Sequence, residues 1–307
     1  MIKDFLTIAD ITEEEVFKIF HDADLINEQL MHGIKVLPLQ GKSLGMIFKK
    51  SSTRTRVSFE VAMNQLGGHA LFLDSSSVQM SRGETIEDTA RVLSRYLNII
   101  MIRTFEHKEV EELANFATIP VINGLTDLHH PCQILSDFYL INKLKGKLKG
   151  IKLSYIGDGN NIAHSLIEGA ALLGINLKIA VPCGYEPDKN ILSKALSYAK
   201  VPISISNNPE EAASGADILY TDVWTSMGQE DERQKRIKDF AGFQINKSIL
   251  KKAKPDAIVM HCLPAHRGEE ITDDVMNSSQ SVIFDQAESR LHVQRSLLVN
   301  MLNLGFK

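Results

Sequence analysis

Short apolar runs alternate with stretches of helical spacing along almost the whole chain, and this alternation restricts the fold more than any other feature. Runs at residues 44–48, 70–73, 98–102 and 119–122 are separated by patterns such as Val57, Val61, Leu66 and Ile86, Ala90, Leu93, Leu97. A strand that is followed by a helix returns to its sheet by a right-handed crossover, so successive strands lie parallel with helices on both faces. Beyond residue 150 the same rhythm predicts strands at 151–156, 177–181, 203–205, 217–220, 257–260 and 281–284, with helices at 160–173 and 192–199. A first helix over 13–31 carries Val16, Ile19, Phe20, Ala23, Leu25 and Ile26 behind Thr12, and a last one carries Leu291, Val293, Leu297, Leu298, Met301 and Leu302.

A chain of 307 residues exceeds one domain of ordinary size. The repeated Lys and Gly of residues 143–150 mark the division. The expectation is therefore an α/β protein of two doubly wound parallel-sheet domains, 1–147 and 148–307, with the active site in the cleft between them. The closing helix, about 287–304, is expected to return to the first domain.

Charge narrows the function. A net charge of −4 from interspersed Lys, Arg, Asp and Glu gives no basic field for nucleic acid. No apolar run approaches the roughly 20 residues that cross a bilayer, and Met1 to Phe5 lead into acidic helix-like sequence rather than a signal peptide, so a cytoplasmic protein is expected. Cys132, Cys183 and Cys262 are odd in number and widely spaced, which fits neither a disulfide framework nor a metal site.

The polar residues are placed unevenly. Ser51, Ser52, Thr53, Arg54, Thr55 and Arg56 stand where a strand gives way to a helix, so unpaired amides, hydroxyls, guanidinium groups and the helix dipole converge on one spot suited to phosphate. A capped surface helix with two solvated arginines is the plain alternative for those six residues alone. Yet Arg103, His130 with Gln133, Asp158 to Asn161, Asp222, His261 with Cys262, and Arg290 also fall at or just past the carboxyl ends of predicted strands. Open α/β sheets bind their ligands there. Residues 157–162, Gly-Asp-Gly-Asn-Asn-Ile, lack the third glycine and the later acidic residue of a dinucleotide fingerprint. His261 and Cys262 are sequence neighbours in an extended segment, point to opposite sides, and cannot form a Cys–His pair. The charged residues 223–240 fit a mobile flap or a solvated helix face equally well.

Ser52-Thr53-Arg54-Thr55, His130-Pro131-Cys132-Gln133, residues 222–228 (Asp-Val-Trp-Thr-Ser-Met-Gly) and His261-Cys262-Leu263-Pro264 resemble, in order and spacing over the full length, the signatures of the aspartate and ornithine carbamoyltransferases. The last two resemble the ornithine branch, and Gln79 stands where the aspartate branch uses a lysine. The resemblance implies transfer of a carbamoyl group from carbamoyl phosphate to the side-chain amine of L-ornithine, giving L-citrulline and phosphate by direct attack, with no cofactor and no metal. Carbamoyl phosphate would be bound by Ser52, Thr53, Arg54, Thr55, Gln79, Arg103, His130, Gln133, Leu263 and Arg290. Ornithine would be bound by Asn161, Asp222, Ser226, Met227 and Cys262, with Arg103, His130 and Cys262 as the catalytic set. Cys262 would orient the amine, Asp222 would serve the α-amino end, and Gln79 would reach a neighbouring subunit of a homotrimer. The rivals are a carbamoyltransferase for putrescine or an acylated ornithine, and a two-lobed protein that only binds a phosphorylated metabolite.

Overall fold

The computed structural model describes residues 2–74, 83–226, 228 and 230–305. The chain forms two compact units, one of Met1–Tyr139 with Glu288–Lys307 and one of Leu140–Ala287. In the first run of elements α1 (Glu13–Met31), β1 (Ser43–Phe48), α2 (Thr53–Gln65), β2 (His69–Asp74), α3 (Ile86–Tyr96), β3 (Ile99–Arg103), α4 (His107–Phe116), β4 (Val121–Leu125) and α5 (Pro131–Lys145) follow in order. The division between units thus falls inside α5, ahead of the Lys- and Gly-rich residues 143–150.

The first sheet has the order β2-β1-β3-β4, and every pairing is parallel. Residues of β3 and β4 are buried throughout, because helices cover both faces. Phe5 extends the sheet beyond β4: its N–H donates to Val121 O at 2.8 Å and its carbonyl accepts from Asn123 N at 2.9 Å. Thr12 starts α1 with a capping box, accepting from Glu15 N while Glu15 accepts from Thr12 N at 3.0 Å.

The second unit holds β5 (Lys152–Ile156), α6 (Asn161–Leu173), β6 (Asn176–Ala180), α7 (Lys189–Leu196), β7 (Ile203–Ser206), α8 (Pro209–Ala213) and β8 (Ile218–Thr221), then α9 (Arg233–Asp239), α10 (Lys247–Leu250), β9 (Ile258–His261) and α11 (Asp273–Met276). Its sheet is parallel in the order β7-β6-β5-β8-β9. Both sheets are therefore doubly wound, as the alternation requires.

One expected strand does not form. Residues 281–284 contribute a single parallel bridge between Ser281 and Val259, and α12 (Ile283–Met301) has already begun. Ile283 is buried while Phe284 is exposed. A three-residue apolar run, Val282 to Phe284, has the same pattern in a strand as in the first turn of a helix, so periodicity could not separate them.

From residue 288 onward α12 belongs to the first unit, where a polar seam ties it to α1. Ser296 Oγ donates to Ile19 O at 2.7 Å, Asn300 Nδ2 to Asp22 Oδ2 at 2.9 Å and Arg295 Nη2 to Asn27 Oδ1 at 2.7 Å. Leu297, Leu298 and Val293 of the same helix are fully buried. Among the described residues no helix is long and apolar enough to cross a membrane. Leu297→Ala is expected to lower the unfolding free energy by about 2–5 kcal/mol, and the half-buried Leu302→Ala by clearly less, as read by urea denaturation.

Candidate active site

In the first unit the site is built where three strands stop. Ser52 is extended and caps α2: its Oγ accepts from Thr55 N at 3.2 Å and donates to Thr55 Oγ1 at 3.1 Å. Thr55 is fully buried, and its Oγ1 also accepts from Arg290 Nη2 at 2.8 Å. With both lone pairs occupied, the hydroxyl hydrogen of Thr55 is directed to a further acceptor. Thr53 is exposed and Arg54 half-buried on the first turn. Arg103 closes β3, buried, with Nε donating to Lys50 O at 3.1 Å.

His130 immediately precedes Pro131, the first residue of α5, and is buried. Burial holds its pKa well below the usual histidine value, and the charges of Arg290, Arg103, Arg54 and Lys50 push it the same way. Near neutral pH the ring is uncharged, a donor at one nitrogen and an acceptor at the other. One turn on, buried Gln133 donates from Nε2 to Asp137 Oδ1 at 2.9 Å, while its Oε1 is buried and accepts no hydrogen bond. The structure thus brings Ser52, Thr53, Arg54, Thr55, Arg103, His130, Gln133 and Arg290 into one unit.

The second unit assembles its own cluster. Asn160 caps α6, its Oδ1 accepting from Ile162 N at 3.0 Å, and its Nδ2 donates to Asp222 Oδ2 at 2.9 Å. The other oxygen of Asp222 accepts from Cys262 Sγ at 2.9 Å. Asp222 and Cys262 were assigned to opposite ends of one ligand, yet their polar atoms touch, so a group held by either is in reach of the other. Asn161 begins α6 beside this pair, and Ser226 follows it on the loop after β8.

His261 and Cys262 do not point apart as an extended segment would have them, because β9 ends at His261 and their ligand atoms come within 4.8 Å, yet the ring of His261 is engaged elsewhere. It is fully buried, with Nε2 donating to Glu270 Oε1 at 2.9 Å and Nδ1 accepting from Leu263 N at 2.9 Å. Leu263 sits at φ 60°, a region that residues other than glycine avoid. Ligand atoms of Asp222, His261 and Cys262 lie within 4.8 Å of one another, as do those of His266, Glu269 and Glu270. In the first group the thiol and both ring nitrogens are spent on the hydrogen bonds just described.

Gln79 and Met227 lie outside the described residues. The charged segment is solvated at residues 231–235, as on an exposed helix face, but not throughout. Its Arg236 is buried, donating from Nη1 to Asp158 Oδ2 and to Trp224 O, both at 2.9 Å, and from Nε to Glu232 at 3.0 Å. Sequence reasoning missed Arg236, Asn160 as the partner of Asp222, and Lys50. Asn160 had a signal, a strand-to-helix Asn; Arg236 stood among seven other charged or amide residues and had none.

Residues 3–143 match the family model described as aspartate/ornithine carbamoyltransferase, carbamoyl-P binding domain, and residues 149–301 the one described as aspartate/ornithine carbamoyltransferase, Asp/Orn binding domain. The chain is 55% identical over 303 residues to an ornithine carbamoyltransferase of Oceanobacillus iheyensis, covering 98% of this chain and 94% of that one. Among solved structures it is similar to the ornithine carbamoyltransferase of Pyrococcus furiosus, with TM-score 0.95, 50% identity, and coverage of 100% and 98%. It is also similar to the anabolic ornithine carbamoyltransferase of Campylobacter jejuni, with TM-score 0.93, 39% identity, and coverage of 98% and 99%.

Burial raises the Asp158 carboxyl to about 6, against an ordinary 3.8, with Arg236 opposing that rise. The folded protein therefore holds a proton that the unfolded chain has released, and this group's contribution to stability falls as pH rises between those two values. Asp158→Asn is expected to flatten the stability slope between about pH 4 and about pH 6 by about 2–3 kcal/mol, measured by urea unfolding at both ends of the window.

Proposed function

The chain belongs to the aspartate/ornithine carbamoyltransferase family, and from that premise we propose that its two clusters serve one reaction, carbamoyl transfer from carbamoyl phosphate to the side-chain amine of L-ornithine. The observation that carries the reading is the gathering of Arg54, Arg103, Arg290 and Lys50 on a buried, uncharged His130. Such a concentration of one sign suits a dianion and its developing negative charge. In this reading the phosphate rests on the α2 amides, the main chain of Ser52 and the Thr53 hydroxyl, with Arg54, Arg103 and Arg290 around it. The carbamoyl oxygen meets Arg103, the Thr55 hydroxyl and a ring N–H of His130. The carbamoyl NH2 donates to Gln133 Oε1, the buried acceptor left open, and to the Leu263 carbonyl.

Ornithine is held by Asn161 at its carboxylate and by Asp222, Ser226 and Met227 at its α-amine, with Cys262 at the reacting amine. That amine, with a pKa near ~10.4, costs about 4–5 kcal/mol to deprotonate at pH 7. A desolvated site rich in arginine disfavours the ammonium and so supplies part of this cost. The nitrogen lone pair adds to the carbamoyl carbon, and the resulting oxyanion is stabilised by Arg103, Thr55 and His130. Collapse breaks the C–O bond to phosphate, whose oxygen keeps the electron pair, and the nitrogen sheds a proton to give citrulline. A cytoplasmic homotrimer, with Gln79 completing a neighbouring subunit's site, is part of the same reading and follows from the family resemblance.

Offered ornithine, putrescine and aspartate in parallel with carbamoyl phosphate, the enzyme is expected to release phosphate with ornithine alone. Release with putrescine would move the assignment to another amine, and release with none would leave a binding protein. Cys262→Ala is expected to lower turnover and raise KM for ornithine, about 10- to 100-fold in kcat/KM for the loss of a charge-assisted hydrogen bond, with measurable activity remaining. A carbamoyl thioester on Cys262, seen as a mass increase of the intact chain, would overturn the orienting role in favour of covalent catalysis.

A further inference from the structure

Two adjacent lysines, Lys49 and Lys50, follow β1, and the structure treats them differently. Lys49 is half-buried and pairs with Glu109 at 2.7 Å. Lys50 is only 5% exposed; its Nζ lies 2.5 Å from Asp127 Oδ1 and 4.9 Å from the centre of the Phe105 ring. An ammonium buried this far from water requires such partners, and a carboxylate with an aromatic face supplies them.

The partners come from the two other strand ends that build the phosphate side of the site. Phe105 follows β3 and Arg103, while Asp127 follows β4 and leads into His130. Asp127 N donates to Phe105 O at 2.9 Å, and Thr104 N to Leu125 O at 3.0 Å, so these two loops are braced on each other. The main chain of Lys50 meanwhile grips Arg103 directly: Lys50 O accepts from Arg103 Nε at 3.1 Å, and Arg103 O accepts from Lys49 N at 2.8 Å and Lys50 N at 3.4 Å. One residue thus joins the loop carrying Ser52 to Thr55, the strand end carrying Arg103 and the loop carrying His130, by its main chain at Arg103 and by its side chain at Phe105 and Asp127.

We propose that Lys50 is a positioning residue for carbamoyl transfer: its ammonium, pinned between Asp127 and Phe105, fixes Arg103 and the approach to His130 without itself touching the substrate. This rests on the functional reading above. Its charge has a second effect on His130, which is faced by Arg290 from α12, Arg103 from β3, Arg54 from α2 and Lys50 from the loop after β1. All four disfavour the imidazolium, so deleting one cation raises the pKa of His130, whereas deleting the Asp127 carboxylate does not.

The test compares full-length wild type with Lys50→Met, Lys50→Arg, Asp127→Asn and the Lys50→Met/Asp127→Asn double variant, by steady-state kinetics in both substrates and by calorimetry with inorganic phosphate. Lys50→Met is expected to lose about 10- to 100-fold in kcat/KM for carbamoyl phosphate, as a displacement near 1 Å at the reacting groups would cause, with a much smaller change in KM for ornithine. Lys50→Arg restores most of that loss. Asp127→Asn loses in the same parameter, and the double variant is no worse than Lys50→Met, because both act through one contact. The acid limb of the pH profile moves to higher pH in Lys50→Met and not in Asp127→Asn. A Lys50→Met enzyme within twofold of wild type, or an unmoved acid limb, overturns the proposal. Loss in Lys50→Met with a fully active Asp127→Asn also overturns it, by making Lys50 a direct ligand of the substrate. If Lys50→Met does not fold, Lys50→Arg with low activity, or Asp127→Asn with full activity, is decisive against it. Should wild type bind phosphate without carbamoylating ornithine, the functional reading fails, and the phosphate affinity of the variants still decides the role of Lys50.

Discussion

Positive charge held at the carboxyl ends of parallel strands is the constraint on which the phosphate side of this protein depends. Four cations bear on one imidazole, and at such separations like charges repel by amounts that a loose loop would relieve by moving away. Three of them are fastened to the scaffold by hydrogen bonds already described: Arg103 to the Lys50 carbonyl, Arg290 to Thr55, Lys50 to Asp127. The α1–α12 seam serves the same end, since a helix free to slide along α1 could not keep Arg290 at hydrogen-bond distance from Thr55. In the proposed reaction a dianion would relieve that repulsion, and the relief would grow as negative charge develops on the carbamoyl oxygen and the departing phosphate.

The second unit is organised by a negative charge. Asp222 is buried and divides its oxygens between Asn160 and Cys262, so the carboxylate is oriented before any ligand arrives. In the proposed reaction such a carboxylate would favour an ammonium, which would help at the α-amine and hinder at the amine that must lose its proton. One of its oxygens is already engaged by the Cys262 thiol, so the attraction of that oxygen is spent on a neutral donor.

Fold and site were legible in the sequence to different depths. The alternation of periods specified parallel sheets without any pairing information, and Ser52, Asn160 and Pro131 marked helix starts that the structure keeps. Most of the phosphate-side residues could be placed because they stand at a strand end, a position that local pattern reveals; Arg290 does not, since the strand expected before it gives way to α12. Partners could not. Lys49 and Lys50 are identical in type and neighbours in position, yet only one is buried, and what separates them is Asp127, 77 residues away. The Asp222–Cys262 contact spans 40 residues and the Arg236–Asp158 pair 78. Such contacts depend on strand order, which a parallel sheet does not inherit from sequence order.

His261 shows why residue type alone misleads in a motif of this kind. A histidine beside a cysteine at the end of a strand invites a nucleophile and base, but the backbone N–H of Leu263 can only donate, so Nδ1 must accept and the ring proton must sit on Nε2, facing Glu270. A proton taken up at Nδ1 would break the bond to Leu263, so in this arrangement the ring has no free site from which to act as a base. It works on the main chain instead, accepting from the N–H of Leu263, whose φ of 60° residues other than glycine rarely adopt.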